Sequence, residues 1–183
     1  MCSSDLPVAR RWLAVAVLAT FAMVAACGAE PGRPPPTSSP APSAGPSALV
    51  PVTSVVDGDT IHVTFQGRDE RVRFIGIDTP EIAHGGQPAE CYGDRAAAET
   101  RRRLEGESVR LEFDVGLRDR YGRLLAYVYD DHGPVNLALV QQGFAVVLTV
   151  PPDTRMAGDF ERAENDARSA GRGLWSACPT PGS

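Results

Sequence analysis

A proline-rich segment limits which part of this chain can build a hydrophobic core. Residues 28–47 contain no aromatic side chain and consist largely of Pro, Ser, Ala and Gly, with three consecutive prolines at 34–36. Such a composition buries too little apolar surface to fold and favours an extended, partly polyproline conformation. The segment therefore predicts a tether, and it confines the folded domain to residues 49–183, a length typical of one compact domain.

The first 26 residues have the pattern of an export signal. Two arginines precede an apolar run from Trp12 to Ala26, which is shorter than the roughly 20 residues that usually cross a bilayer. The run ends in Val-Ala-Ala-Cys at 24–27 and is similar to the lipobox of bacterial lipoproteins, in which cleavage leaves a lipidated cysteine. A buried apolar helix is the alternative, but the adjoining tether argues against it. We therefore expect a signal peptide over 1–26, a lipidated Cys27 heading a tether over 27–48, and an extracytoplasmic protein that is anchored to the cell membrane or released from it.

Two cysteines remain for the folded domain. The chain has four; Cys2 would leave with the signal and Cys27 would carry lipid. In an oxidising, exported setting, Cys91 and Cys178 are predicted to form a disulfide. A metal site is the weaker alternative, because neither cysteine has a second Cys or His at ligand spacing.

Hydrophobic periodicity and turn residues predict five strands and three helices. The predicted strands are Val50–Val56, Ile61–Phe65, Arg71–Ile77, Ser108–Phe113 and Leu124–Tyr129. The predicted helices run from an N-cap at Asp94 to Glu105, over Val135–Gln142, and along a face made by Phe160, Ala163, Ala167 and Ala170. Five short strands in this order favour an α+β fold, a five-stranded OB-fold barrel with three helices.

The charge balance excludes a global attraction to polyanions. The net charge is -5, and all 18 basic residues are Arg, so nucleophilic Lys chemistry is excluded and any anion site must be local. We expect residues 101–103, three arginines on the first helix, to form a solvated face. A local positive patch is expected from five arginines if the barrel forms, namely Arg71, Arg73, Arg118, Arg120 and Arg123.

Acidic residues are concentrated at the ends of predicted strands. Residues 57–60 read Asp-Gly-Asp-Thr and residues 78–81 read Asp-Thr-Pro-Glu. Taken alone, each is an ordinary turn, the first a type I′ turn with solvated carboxylates. If Asp59 and Asp78 converge, however, two carboxylates with a carbonyl and waters suit calcium. Glu81 would then be free to accept a proton from an attacking water, and guanidinium groups could bind the oxygens of a phosphodiester.

Three blocks of sequence together resemble the thermonuclease family typified by staphylococcal nuclease. They are Asp-Gly-Asp-Thr at 57–60, Arg73 with Ile-Asp-Thr-Pro-Glu at 77–81, and Asp-Arg-Tyr-Gly-Arg at 119–123. One block alone would be weak evidence, but three blocks in the order found in the family are specific evidence for the resemblance. The resemblance covers essentially all of Val50 to Cys178. It implies an OB-fold, calcium-dependent hydrolysis of DNA and RNA, and products that carry 3′-phosphates.

The resemblance also implies the roles of individual residues. Asp59 and Asp78 match the family's carboxylate calcium ligands, Thr79 matches the residue that offers its backbone carbonyl, and Asp57 would stand behind them as a supporting carboxylate. The catalytic trio matches Arg73, Glu81 and Arg123, with Glu81 as general base and the two arginines stabilising the transition state.

Substrate contacts are carried over in the same way. Arg120 and Tyr121 match positions that hold a terminal phosphate, although the family's representative has Lys at the first of these. A tyrosine that lies against the nucleotide in the familiar enzyme falls near Thr149, so we expect base preference and affinity to be altered. The implied partners are DNA or RNA as substrate, and the membrane only through Cys27, for a protein expected to be a monomer.

Two rival functions remain open from the sequence. The first is a non-catalytic OB module that binds nucleic acid or an envelope partner; its signature would be loss of Arg73, Glu81 or Arg123, and none is lost. The second is an oligosaccharide-binding envelope protein, which lacks the groove aromatics such a role needs, since only 7% of residues are aromatic. A nuclease is therefore the leading hypothesis.

Overall fold

A computed structural model describes residues 49–180 of the chain. The predicted signal peptide, Cys27 and the tether lie outside the described residues. The strands are β1 Val50–Val55, β2 Thr60–Phe65, β3 Arg68–Phe74, β4 Gly76–Asp78, β5 Ser108–Glu112, β6 Leu124–Asp130, β7 Gly133–Pro134 and β8 Val146–Leu148. The helices are α1 Gly93–Leu104, α2 Val135–Gln141, α3 Ala157–Ser169 and α4 Leu174–Ala177. None of the helices within residues 49–180 has the length and apolar character needed to span a membrane.

Five strands close into a barrel. Strand β1 pairs antiparallel with β2 and with β5, β2 pairs with β3, and β5 pairs with β6. A parallel pairing of β3 with β6 closes the ring. The predicted α+β fold with a five-stranded OB barrel is therefore confirmed, and β4, β7, β8 and the one-turn α4 are additions that the sequence pattern did not reveal.

Alternation along the strands decides which side chains face the barrel interior. On β3, Val72 and Phe74 are buried while Arg71 and Arg73 lie on the outer surface. On β6, Leu124 and Ala126 are buried, and the outward-facing Leu125 pairs with Arg73. Burying a large apolar side chain contributes about 1.5–3 kcal/mol, so the inward residues fix the register that places the arginines on one outer face.

The predicted third strand, Arg71–Ile77, is wrong in its extent. Strand β3 starts earlier, because Gln66 and Gly67 alone form the tight turn with positive φ angles of 52° and 74°. It also ends earlier, and Gly76 begins β4, which pairs with β8 instead of with the barrel strands. Gly76 has φ 81°, and a Cβ there would lie 2.3 Å from a ring carbon of Phe160. The close helix contact requires glycine at the bend, a constraint that strand alternation cannot reveal.

The predicted helix ends also need correction. Asp94 is not the N-cap of α1: Tyr92 occupies that position with φ 78°, and no side chain caps the helix. The predicted end at Glu105 is confirmed, since Glu105 is the C-cap and Gly106 follows it with φ 80°. On α3, Phe160, Ala163 and Ala167 are buried as predicted, whereas Ala170 is the exposed C-cap.

The arginines at 101–103 do not all form a solvated face. The prediction is wrong for Arg103. Its Nε and Nη2 both donate to Asp130 Oδ2, at 2.9 and 2.6 Å, and both side chains are nearly buried. This ion pair joins α1 to the end of β6. Arg101 and Arg102 are exposed as expected.

Asn136 joins the helices to the bend before β4. It is fully buried on α2, where its Nδ2 donates to the carbonyl of Ile75 at 2.9 Å and its Oδ1 accepts from the amide of Val128 at 2.9 Å. Buried polar groups of this kind are costly unless paired. Asn136 therefore satisfies the backbone where β3 gives way to β4.

The predicted disulfide is confirmed. Cys91 and Cys178 are bonded across a sequence separation of 87 residues. A closed loop of that length stabilises a fold by roughly 4–5 kcal/mol on the chain-entropy estimate. The bond connects Cys91, which precedes the N-cap of α1, to Cys178, the C-cap residue of α4.

Candidate active site

One arginine connects two carboxylates at the ends of different strands. Arg73 on β3 places Nη1 3.0 Å from Asp59 Oδ2 and Nη2 2.6 Å from Asp78 Oδ1. Its Nη1 also donates to the carbonyl of Ile77 at 2.9 Å. Asp59 is buried, whereas about half of the Asp78 side chain is exposed. The predicted convergence of these two aspartates therefore occurs, with a guanidinium between them.

Close packing holds Asp59 in place. The amide and the hydroxyl of Thr79 both donate to Asp59 Oδ2, at 2.7 and 3.0 Å. Gly58 lies against Thr79 so closely that a Cβ would be 2.6 Å from the threonine Oγ1. The hydroxyl of Thr100 on α1 donates to the carbonyl of Gly58 at 2.6 Å. Asp57 Oδ1 accepts a hydrogen bond from the amide of Asp59 at 3.1 Å, which is consistent with the predicted supporting role of the Asp57 carboxylate.

The connection at 57–60 is not the tight hairpin turn that its dipeptide suggests. A type I′ turn needs positive φ at both central residues, and neither Asp57 nor Gly58 is among the positive-φ residues of 49–180. Gly58 is needed for close approach to Thr79 and not for its φ angle. The ordinary turn interpretation of this motif is therefore wrong.

The electrostatics of this group favour a cation. Burial raises the pKa of Asp59 above its ordinary value, Arg73 opposes that shift, and the nearby Asp57 and Asp78 add to it. Within residues 49–180, no set of three His, Cys, Asp or Glu side chains forms a ready metal site. Two carboxylates with the Thr79 carbonyl are oxygen donors, the kind that a hard cation prefers, and water would complete the coordination. The donor set therefore fits calcium in chemistry.

Glu81 lies next to this group with its side chain exposed. Partial desolvation raises the pKa of Glu81, and the carboxylates of Asp57 and Asp78 raise it further, while His84 and Arg73 lower it. The Glu81 carboxylate forms no ion pair or hydrogen bond with residues 49–180, so it can accept a proton from a water. Its backbone amide and carbonyl, by contrast, are both hydrogen-bonded to Glu90.

Arg123 is positioned by a short loop before β6. Its Nε donates to Asp119 Oδ2 at 2.6 Å, and its amide donates to Asp119 Oδ1 at 3.0 Å. It precedes Leu125 by two residues, and Leu125 pairs with Arg73, so the loop that carries Arg123 enters β6 beside the Arg73 end of β3. No hydrogen bond or ion pair within 49–180 joins Arg123 to the group around Arg73.

Arg120 and Tyr121 lie at the exposed tip of the same loop. Arg120 Nη2 donates to the Tyr121 hydroxyl at 2.5 Å, and its guanidinium lies 4.7 Å from the ring centre. The Arg123 guanidinium lies 5.5 Å from the same ring. Both residues are accessible, and they sit beside Arg123, as a phosphate-contact role requires.

The predicted patch of five arginines is largely neutralised. Arg118 makes two hydrogen bonds of 2.8 Å to Glu70, Arg123 pairs with Asp119 and Arg73 pairs with Asp59 and Asp78. Arg71 and Arg120 form no ion pair with a carboxylate of residues 49–180. The expectation of one positive patch is therefore wrong for three of its members.

Some positioning residues escaped the sequence analysis. Asp119 accepts amides two and four residues ahead, from Tyr121 and Arg123, and this Asx-type turn is a signal that the Asp-Arg-Tyr-Gly sequence carries. Thr100, which binds Gly58, and Glu90, which binds Glu81, carry no such signal. Their partners lie too far away in sequence for a turn motif to indicate them.

Comparison with known proteins agrees with this geometry. The family model described as staphylococcal nuclease homologue matches residues 71–177. The chain is 39% identical over 124 residues to thermonuclease of Staphylococcus intermedius. This aligned region covers 68% of this chain and 74% of that protein. It is 41% identical over 132 residues to the SPbeta prophage-derived endonuclease YokF of Bacillus subtilis, covering 70% of this chain and 45% of that protein.

The OB barrel with its carboxylate and arginine site, together with these relatives, defines a nuclease, a hydrolase that acts on phosphodiester bonds. Within that class the chain belongs to the staphylococcal nuclease, or thermonuclease, family. Its substrate is therefore nucleic acid, and its family is one of metal-dependent enzymes.

Proposed function

We propose that this protein hydrolyses both DNA and RNA in a calcium-dependent reaction that leaves 3′-phosphates, and that it acts as a monomer. The observation that carries the proposal is the contact of one guanidinium, Arg73, with both Asp59 and Asp78. Such an arrangement joins a cation-binding pair of carboxylates to a group that can bind a phosphate oxygen.

The cation would be held by Asp59, Asp78 and the carbonyl of Thr79. When bound, it would neutralise negative charge on the scissile phosphate and on the surrounding carboxylates. The burial of Asp59 beside the half-exposed Asp78 supports this placement, because two neighbouring carboxylates need more compensating positive charge than Arg73 alone supplies.

The protein's own groups would perform the remaining steps. Glu81 would accept a proton from the water that attacks phosphorus, since its carboxylate has no bonded partner within residues 49–180. Arg73 and Arg123 would bind the equatorial oxygens as negative charge develops on them. The bond from phosphorus to the 5′ oxygen breaks, and the leaving oxygen takes a proton from solvent and becomes the 5′-hydroxyl of the downstream nucleotide. The phosphate therefore stays on the 3′ oxygen of the upstream nucleotide.

Substrate binding would rest on few contacts. Arg120 and Tyr121 would hold a terminal phosphate, whereas Thr149, an exposed residue after β8, offers no ring for stacking. Base stacking on an aromatic side chain contributes about 1–3 kcal/mol. We therefore propose weaker binding, with an altered base preference, than a stacking tyrosine would give.

The chemistry of the products tests this proposal. We expect a 5′-labelled oligonucleotide to yield fragments that end in a 3′-phosphate, and mass spectrometry distinguishes these from fragments ending in a 3′-hydroxyl. A matched digest treated with a phosphatase that removes only 3′-terminal phosphates is the control, because only fragments that end in a 3′-phosphate then lose mass. Fragments that carry 3′-hydroxyl and 5′-phosphate ends would contradict the proposed bond cleavage, and binding without cleavage would favour the non-catalytic module.

We also propose that the protein is exported and anchored by lipid at Cys27. The support is the arginine pair, the apolar run and the Val-Ala-Ala-Cys ending at 24–27. Mass spectrometry of membrane-extracted protein should find a diacylglyceryl group on Cys27 and no peptide from residues 1–26. A Cys27→Ser variant should remain uncleaved at that site. An unmodified mature protein that begins elsewhere would refute the anchor.

A further inference from the structure

We propose that Glu90 is a positioning residue for Glu81 and that the Cys91–Cys178 disulfide holds Glu90 in place. The inference rests on the proposed role of Glu81 as general base. It assigns a catalytic consequence to a bond that otherwise stabilises only the fold.

The loop from Glu81 to Glu90 is closed at its base by two reciprocal hydrogen bonds. The amide of Glu81 donates to Glu90 Oε2 at 2.9 Å, and the amide of Glu90 donates to the carbonyl of Glu81 at 2.9 Å. Both backbone polar groups of the proposed base are thus bound by one residue. The side chain of Glu90 spans the loop and binds the backbone of Glu81, so it fixes the backbone position from which the Glu81 side chain extends.

The rest of the loop offers little restraint. Its tip is a bridge between His84 and Gln87, with Gly85 and Gly86 in positive-φ conformations. Residues 83–88 are all exposed. Exposed segments with few buried contacts open at low free energy. The position of Glu81 therefore depends on the closed base of the loop.

That base is fastened to the folded domain on the Glu90 side. The carbonyl of Glu90 accepts the amide of Gly93 at 3.0 Å. Gly93 lies so close to Glu81 that a Cβ there would be 2.2 Å from the Glu81 carbonyl oxygen. Tyr92, which lies between Glu90 and Gly93 and is the N-cap of α1, holds a positive φ of 78°, a conformation that non-glycine residues rarely adopt.

The disulfide adds the second fastening. Cys91 directly follows Glu90 and is bonded to Cys178, which ends α4. Helix α4 is anchored by the buried Leu174, whose amide donates to the carbonyl of Gly143 at 2.9 Å. The chain of contacts therefore runs from the core through α4 and the disulfide to Glu90, and from Glu90 to Glu81. A displacement of about 1 Å at a reacting group can cost on the order of a hundredfold in rate.

Three variants separate positioning from a structural role. Glu90→Ala removes the acceptor for the Glu81 amide, and we expect kcat to fall about tenfold or more while KM changes little. Glu90→Gln keeps an acceptor oxygen at the same reach and should restore most of that kcat. The Cys91→Ser, Cys178→Ser double variant, assayed well below its melting temperature, should lower kcat in the same way. Glu105→Ala, an exposed site after α1, is the control and should match wild type.

The decisive comparison repeats each change in a Glu81→Gln background. If Glu90 and the disulfide act through Glu81, neither change lowers the residual kcat further. An equal loss in both backgrounds would overturn the proposal, as would unchanged kcat in Glu90→Ala. Near-wild-type activity of Glu81→Gln alone would instead overturn the role of Glu81 as general base in the proposed function, so the two failures are distinguishable.

Discussion

Glu81→Gln is expected to fold normally and to lose about 10²–10⁴-fold in kcat, the contribution usually made by a positioned general base. Glutamine has nearly the same size, but its amide cannot accept the proton of an attacking water. Partial burial first, and then the carboxylates of Asp57 and Asp78, raise the pKa of Glu81, so replacing the charged carboxylate by a neutral amide removes a desolvation cost and a repulsion. We therefore expect the melting temperature to be unchanged or slightly higher.

Steady-state kinetics on DNA, together with a thermal melt, measure this effect. Glu161→Gln, an exposed glutamate on α3, is a matched control that should retain wild-type kcat. A Glu81→Gln enzyme with nearly normal kcat would remove Glu81 from the mechanism.

Arg73→Lys and Arg123→Lys are expected to lose about 10²–10³-fold in activity, the typical effect of removing one transition-state hydrogen-bond donor. Lysine keeps the charge, but an ammonium cannot reproduce the planar two-point contact of a guanidinium. At Arg73 it also cannot reach Asp59, Asp78 and the Ile77 carbonyl together. We therefore expect Arg73→Lys to lose stability as well.

Arg123→Lys separates catalysis from stability, because the Arg123 side chain contacts its own loop, through Asp119 and the ring of Tyr121. Arg162→Lys, an exposed change on α3, is the control for an arginine replacement far from the site. Full activity in both Arg73→Lys and Arg123→Lys would show that these guanidinium groups are structural.

The barrel was predictable from the sequence because its signals are local. Alternating apolar residues over β1, β2 and β5 encode strands whose buried faces then fix the register, and β6 is recognisable as a short apolar run. The sequence allowed the convergence of Asp59 and Asp78 to be stated only as a condition, because it does not reveal which strand ends meet. The disulfide followed from export and from the cysteine count.

What the sequence could not provide depends on contacts between distant segments. The bend at Gly76 is set by the Phe160 ring, and the start of α1 at Tyr92 is set by close packing of Gly93 on Glu81. The burial of Arg103 depends on Asp130, which comes 27 residues later. Neither periodicity nor turn chemistry carries such information, because each partner alone looks like an ordinary surface or strand residue.

The most direct test of the account is hydrolysis of DNA and RNA by the purified, disulfide-bonded domain with calcium and with a chelator. We expect both nucleic acids to be cleaved with calcium, activity to vanish with the chelator, and added calcium to restore it. Asp59→Asn and Asp78→Asn, measured alongside, should need much higher calcium for the same rate. Equal cleavage with and without chelator, or no cleavage of either nucleic acid with calcium present, would contradict the calcium-dependent nuclease described above.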